Sequence, residues 1–264
     1  MPEFVLYNAP QSTCSQRVRF VLNAKQLAFD EHRLDLFSGD QLKPDYLAIN
    51  PNGVVPTLVH DGAVIIDSAV IMEYLDEVRP ADVSFTPDDP LARARMRSMM
   101  RYIDEIPTPA IRIPSYNLAF LPHFQVMSED EFLALANSKP LRKEFLLTMG
   151  RTGFPESEMD GALDRLTRAV ARMDDWLAKS GGPFLMGEAM TLADIAIMPV
   201  IVRMDDINLH DVWAEKPAVG RWLDSIRAQD AYRPTYYHGS LLTEKYPHLA
   251  RLREERCARD SNSA

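Results

Sequence analysis

The residues best suited to chemistry stand together near the start of the chain. Ser12-Thr13-Cys14-Ser15 sets two hydroxyls and a thiol in consecutive positions after a loop containing Pro10. Directly behind them, Val18, Val21 and Leu22 fall at i, i+3 and i+4, which predicts an amphipathic helix over Cys14–Leu22. A helix N-terminus has unsatisfied N–H groups and a partial positive charge, so it stabilises an anion, a thiolate included. A hydroxyl there can donate one further hydrogen bond. The same residues also suit plain structural duty, with Ser12 or Thr13 capping the helix and Cys14 filling a small buried space.

A second set is Val54-Val55-Pro56-Thr57, followed by Asp67-Ser68. X–Pro is the peptide bond in which cis is accessible at small cost, and proline at the head of a strand is unusual, so Val55–Pro56 is a candidate cis bond. Asp67-Ser68 by itself reads as a helix cap.

The elements that must hold these groups alternate over the first eighty residues. Phe4–Tyr7 reads as a strand, and Asn50-Pro51-Asn52-Gly53 is dense turn chemistry. Val54–Val59 and Ala63–Ile66 flank the turn His60-Asp61-Gly62 as a hairpin. Ile71, Tyr74, Leu75 and Val78 then repeat at helical spacing up to Arg79-Pro80. This gives an α/β unit over residues 1–80 and a Pro- and Asp-rich linker over 81–89. An all-α unit follows over 90–264. Asp89-Pro90 opens a Met-rich helix that ends before Pro107, and Ser128 with Glu131 has the spacing of a capping box. Leu163, Leu166, Val170, Met173 and Leu177 mark a long amphipathic helix, and Val219, Trp222, Leu223 and Ile226 mark another. Beyond Ala231 an aromatic run leads into a charged tail.

Composition removes whole classes of function. The 264 residues carry 29 basic and 38 acidic side chains, a net charge of −9, the wrong sign for holding nucleic-acid phosphates. The longest strongly apolar run, Ile195–Val202, falls far short of the ~20 residues that cross a bilayer. No nucleic acid and no membrane is expected as a partner. Met1 leads straight into a strand with no signal-peptide pattern, so a cytoplasmic location is expected. Two cysteines, Cys14 and Cys257, are too few for a disulfide framework. Phosphate-loop, zinc-site and hydrolase signatures are missing, and no metal is expected.

In their order, the strand, the Ser-x-Cys helix, the NPNG turn, VVPT, the hairpin and the Asp-Ser helix start resemble the thioredoxin-like domain of the glutathione transferases. The likeness covers residues 3–80, and the helical remainder resembles the same superfamily through the capping box Thr191-Leu192-Ala193-Asp194. The resemblance implies a thioredoxin-like N-terminal domain joined to an all-α domain, with glutathione as co-substrate. It makes Ser12 the residue that activates the glutathione thiolate, with Thr13 its neighbour and Cys14 a second candidate nucleophile. It implies that Val55, ahead of a cis Pro56, pairs through its backbone with the cysteinyl part of glutathione. Asp67 and Ser68 would hold the γ-glutamyl ammonium and carboxylate, and Gln41 the glycyl carboxylate. A C2 homodimer is also implied.

Two subfamilies divide the finer likeness. Ser12-Thr13-Cys14-Ser15 with Arg17-Val18-Arg19 is similar to the zeta-class maleylacetoacetate isomerases and tetrachlorohydroquinone dehalogenases, in which a cysteine can resolve a glutathionyl intermediate. Met127–Phe132 and Arg151-Thr152-Gly153-Phe154-Pro155 resemble the bacterial glutathione-dependent β-etherases of lignin catabolism. The main expectation is cleavage of a β-aryl ether in a small aromatic substrate. The alternatives are dehalogenation or isomerisation using Cys14, a general conjugating transferase, or a non-catalytic glutathione-binding interaction module. Tyr102, Tyr116, Phe120, Met204 and Tyr236 are candidates for the pocket that holds the rings. Arg101, Arg112 and Arg203 could bind an acidic substrate, but charged residues on helices more often form a solvated face, and that is the expectation.

Overall fold

The protein is described by a computed structural model over residues 3–78 and 83–249. The proline stop at Arg79-Pro80, residues 81 and 82 of the expected linker, and the tail with Cys257 lie outside those residues.

The N-terminal half is a four-stranded sheet in the order β2-β1-β3-β4. Its strands are β1 (Phe4–Asn8), β2 (Phe29–Arg33), β3 (Thr57–His60) and β4 (Ala63–Ile66). β1 runs parallel to β2 and antiparallel to β3, with Phe4 opposite both Phe29 and His60. Helices α1 (Thr13–Ala24), α2 (Pro44–Ile49) and α3 (Ser68–Val78) complete it, and this is the thioredoxin-like arrangement. Burial alternates along β1, so Phe4 and Leu6 face inward against Val18, Val21 and Leu22 of α1 and Ile71, Met72 and Leu75 of α3.

The hairpin is shorter than its sequence predicts. β3 starts at Thr57, because Pro56 has no N–H for a ladder and the Val54 carbonyl is taken by Tyr46 Oη (2.6 Å) and Asn50 Nδ2 (3.0 Å). β2, with the sequence FDEHR, has no apolar alternation to announce it.

The C-terminal half is helical: α4 (Pro90–Glu105), α5 (Pro107–Ser115), a five-residue π-turn (Tyr116–Phe120), α6 (Leu121–Gln125), α7 (Glu129–Asn137), α8 (Lys143–Met149), α9 (Glu156–Ser180), α10 (Leu192–Asp206), α11 (Pro217–Arg227), α12 (Tyr232–Thr235) and α13 (Leu242–Lys245). Asp89 caps α4 by accepting from Ala92 N at 2.7 Å, and Ser128 with Glu131 closes a capping box on α7. The stripe Leu166, Val170, Met173 and Leu177 buries one face of α9, each side chain contributing about 1.5–3 kcal/mol.

α10 is buried on nearly all sides, which accounts for the apolar run at Ile195–Val202. No helix among the described residues is long and apolar enough to cross a membrane. Asp194 anchors the start of α10. Its fully buried carboxylate accepts from Leu185 N (2.8 Å), Thr191 N (2.9 Å), Thr191 Oγ1 (3.0 Å) and Trp222 Nε1 (2.9 Å). Burial raises its pKa, against the pull of those four donors.

A smaller core of Ile113, Phe124, Phe132, Leu146, Met149 and Phe154 gathers α5 to α8 into a lobe of its own. This lobe comes close to the sheet half at Gly53, where a side chain would meet Pro140.

Arg17 joins the two halves. Though fully buried on α1, its guanidinium donates to the Ala196 carbonyl (2.8 Å), Asp104 Oδ1 (2.5 Å), Thr108 Oγ1 (2.8 Å) and Ser68 Oγ (3.3 Å). α1 is therefore bonded to α3, α4, α5 and α10 through one side chain.

Candidate functional site

Ser12 is the N-cap of α1, with extended backbone angles (φ −72°, ψ 118°), and its Oγ accepts from Ser15 N at 3.2 Å. That bond uses an oxygen lone pair and leaves the hydroxyl hydrogen free to be donated. Capping and activation are thus compatible in one side chain. The loop before it is closed by Ser12 N donating to Ala9 O (3.1 Å) and Ala9 N donating to Ser15 Oγ (3.4 Å).

Ser12, Thr13 and Cys14 line a cavity of about 450 Å³ between the two halves. On the sheet side its wall includes Leu34, Phe37, Gln41, Gly53, Val54 and Val55. On the helical side are Ile111, Arg112, Ser115, Tyr116, Phe120, His123 and Phe124, and Lys139, Arg142 and Leu146 come from the lobe.

The aromatic walls are continuous. Phe37 stacks on His123 (centroids 4.1 Å apart, 14° between planes) and meets Phe120 at 5.1 Å, and Tyr116 lies edge-on to Phe120 at 5.0 Å. His123 Nε2 is 3.1 Å from Tyr246 Oη, and burial lowers the His123 pKa below its ordinary value. Burial likewise holds the Tyr116 phenol protonated.

Val55–Pro56 is cis, and Val55 lines the cavity. Among the described residues, neither the N–H nor the C=O of Val55 has a partner. Gln41 is buried, with Nε2 donating to Leu36 O (3.2 Å) and Oε1 unpartnered. Pro56, Asp67 and Ser68 lie outside the cavity wall. Asp67 has positive φ (74°), and its Oδ1 accepts from Ala69 N (2.9 Å) and Val70 N (3.2 Å), capping α3. Ser68 Oγ accepts from Arg17.

Of the five expected ring-binding residues, Tyr116 and Phe120 line the cavity and three do not. Tyr102 packs edge-on to Trp176 and under the Arg172 guanidinium, Met204 is fully buried in the α10 core, and Tyr236 stacks on Tyr232 with its hydroxyl buried and unpartnered. Each follows its helix into a core, the commoner fate of a large apolar side chain on such a stripe. The arginines also divide. Arg101 is exposed, whereas Arg112 and Arg203 both line the cavity, Arg203 being buried and donating to Gln11 O (2.5 Å) and Ser115 Oγ (3.3 Å). Arg203 therefore supports the loop before Ser12, where a solvated face was expected.

Other supporting groups carry little sequence signal. Arg19 is buried and donates to Asn8 Oδ1 (2.5 Å), Pro10 O (2.9 Å) and Thr235 O. Gln16 Nε2 bridges Pro10 O (3.3 Å) and Ser240 O (3.2 Å), and Gln11 Nε2 donates to Gly239 O. The one available clue was the presence of two arginines inside a helix already needed for the core. Phe37 and His123 sit in stretches without periodicity.

A hydroxyl donor at a helix N-terminus, an unpaired backbone amide in the same cavity and aromatic side chains beside them suit a thiol-bearing peptide reacting with an aryl compound. Comparison with known proteins agrees. The glutathione S-transferase N-terminal domain profile matches residues 11–78, and the corresponding C-terminal domain profile matches residues 156–225. Protein LigF of Sphingobium sp. (strain SYK-6) is 31% identical over 238 residues, 88% of this chain and 92% of that one. The maleylacetoacetate isomerase maiA of Aspergillus fumigatus is 28% identical over 242 residues, 89% and 91% of the two chains. The crystal structure of the β-etherase LigF superposes with a TM-score of 0.80 at 29% identity, covering 89% of this chain and 98% of that one. The chain therefore belongs to the glutathione S-transferase family.

Proposed function

We propose that the protein cleaves β-aryl ethers with glutathione, by attack of the thiolate on the carbon between a ketone and an aryloxy group. The observation that carries this reading is the Ser12 hydroxyl, free to donate, at the head of an aromatic cavity whose neighbours in the fold include LigF. Bound glutathione supplies the nucleophilic sulfur. A carbon–sulfur bond forms, the carbon–oxygen bond to the aryl group breaks, and the electron pair leaves with the phenolate.

Ser12 and the N-terminus of α1 lower the free energy of the thiolate, since a free thiol near ~8.5 is mostly protonated at neutral pH. The unpaired Val55 amide suits pairing with an extended peptide, and the buried Gln41 Oε1 suits an N–H donor. Asp67 and Ser68 are the groups proposed for the γ-glutamyl end. Tyr116, Phe120 and Phe37 hold the rings in line. The reading includes a C2 homodimer, supported by exposed Val64, Val70 and Leu91 on neighbouring elements, and a cytoplasmic role in catabolism of lignin-derived aromatics.

Mass spectrometry after incubation with glutathione and a β-aryl ether ketone tests it. Equal amounts of phenol and glutathione thioether are expected, and an unchanged ether overturns it. A second reading, dehalogenation or isomerisation through Cys14, is favoured by that free thiol lining the cavity. Chloride loss from a chlorinated hydroquinone with formation of oxidised glutathione, abolished by Cys14→Ser, would establish the dehalogenase instead.

A further inference from the structure

The cavity carries aromatic side chains on part of its wall, and one side of it is strongly basic. Arg112 on α5, Lys139 between α7 and α8, and Arg142 at the start of α8 all line it. Among the described residues, none of the three has an ion-pair partner. The Arg142 guanidinium makes a single local bond, Nη1 to Leu141 O (2.9 Å), and Arg112 lies 5.8 Å from the Phe145 ring centroid.

The three side chains are partly buried, and their pairing is unfinished. Burial lowers the pKa of Arg142, and the like charge of Arg112 lowers it further, while Tyr116 and Cys14 act in the opposite sense. Burial alone lowers the pKa of Lys139. Asp35, the acid in the same wall, is engaged elsewhere, its Oδ1 accepting from Phe37 N (2.9 Å) and Ser38 N (3.3 Å). Taking cations partly out of water without a counter-charge is costly. An incoming anion would relieve that cost.

We propose that Arg112 and Arg142, with Lys139 beside them, form a carboxylate-recognising subsite for the electrophilic substrate. The aromatic ether taken by this protein would then be an acid, with its carboxylate on the ring that lies against Tyr116. Two planar guanidinium forks suit a carboxylate's paired oxygens, and aromatic walls around them strengthen the interaction by excluding water. Both arginines act on Tyr116, on the helical side of the cavity, while Pro140 next to Lys139 meets the sheet side at Gly53. This inference deepens the ether-cleavage reading and rests on it for the identity of the aromatic substrate.

The test measures binding without turnover, so a failure of ether cleavage would leave it readable. Titration calorimetry compares para-phenoxybenzoate with para-phenoxybenzamide, unreactive ethers of the same shape, in the presence of saturating S-methylglutathione. The intact protein is expected to bind the carboxylate at least about tenfold more tightly, or ~1.4 kcal/mol. In Arg112→Gln/Arg142→Gln the preference is expected to fall within about threefold, while Arg142→Lys keeps part of it. Equal affinity of the intact protein for the two ethers would overturn the assignment, whether or not the variants fold. It would also fall if the double substitution weakened S-methylglutathione as much as the benzoate, because the cations would then serve the peptide.

Discussion

The guanidinium of Arg19 grips the carbonyl of Thr235 from two nitrogens, Nε at 3.1 Å and Nη2 at 3.0 Å, although 216 residues separate the two in sequence. From the same side chain, bonds run to Asn8, Ala9 and Pro10, so the loop before Ser12 and the short helix α12 share one cation. Removing it leaves several buried acceptors unpaired. Arg19→Met is expected to cost about 3–5 kcal/mol, read as a lowered urea midpoint. It should also cost activity in any fraction that stays folded, because Pro10 and Ala9 shape the approach to Ser12.

Ser12→Ala removes both the cap and the donor. The cap accounts for about 1 kcal/mol of stability, a loss that thermal unfolding would register. The donor's share should appear as a fall in turnover of about tenfold or more with little change in glutathione affinity. Steady-state kinetics at saturating glutathione decides it, and unchanged turnover would remove Ser12 from the thiolate's surroundings.

His123 is held below its ordinary pKa, chiefly by burial. In the unfolded chain it takes up a proton near its reference value of ~6.5, whereas in the folded protein it does so only at lower pH. The unfolded state therefore binds more protons in that window, and stability is lost as pH drops through it. Urea midpoints between neutral pH and mildly acidic pH should fall in the parent and fall less in His123→Gln.

Gly53 occupies the left-handed region (φ 59°), and a Cβ there would stand 3.1 Å from Leu42 Cδ2 and 3.4 Å from Pro140 Cδ. Gly53→Ala therefore combines backbone strain with a push against the α7–α8 lobe. A loss of about 1–2 kcal/mol is expected, measurable by chemical denaturation. Because Lys139 adjoins Pro140, substrate affinity should weaken alongside stability.

Much of this architecture can be read in the sequence because its signals are local. Ser128 with Glu131, Thr191 with Asp194, and Asp89 before Pro90 each announce a helix start within four residues, and each cap forms. The position of Ser12 is legible for the same reason. The interior of the site is less so. Tyr102, Met204 and Tyr236 have the right chemistry to line a chamber, but the direction of a helical side chain depends on which neighbour its helix packs against, and no local pattern records that. Arginines mislead in a related way. Arg203 looks like a solvent-facing charge until the Gln11 carbonyl that receives it arrives from a distant part of the chain.

The bonds from Gln11 to Gly239 and from Gln16 to Ser240 also set an order of events during synthesis. The ribosome makes the first helix 224–228 residues ahead of these supports, at ~5–20 residues per second. Over that interval the nascent protein holds the loop before Ser12 without the brace that shapes it. A chain released before Ser240 would lack that brace.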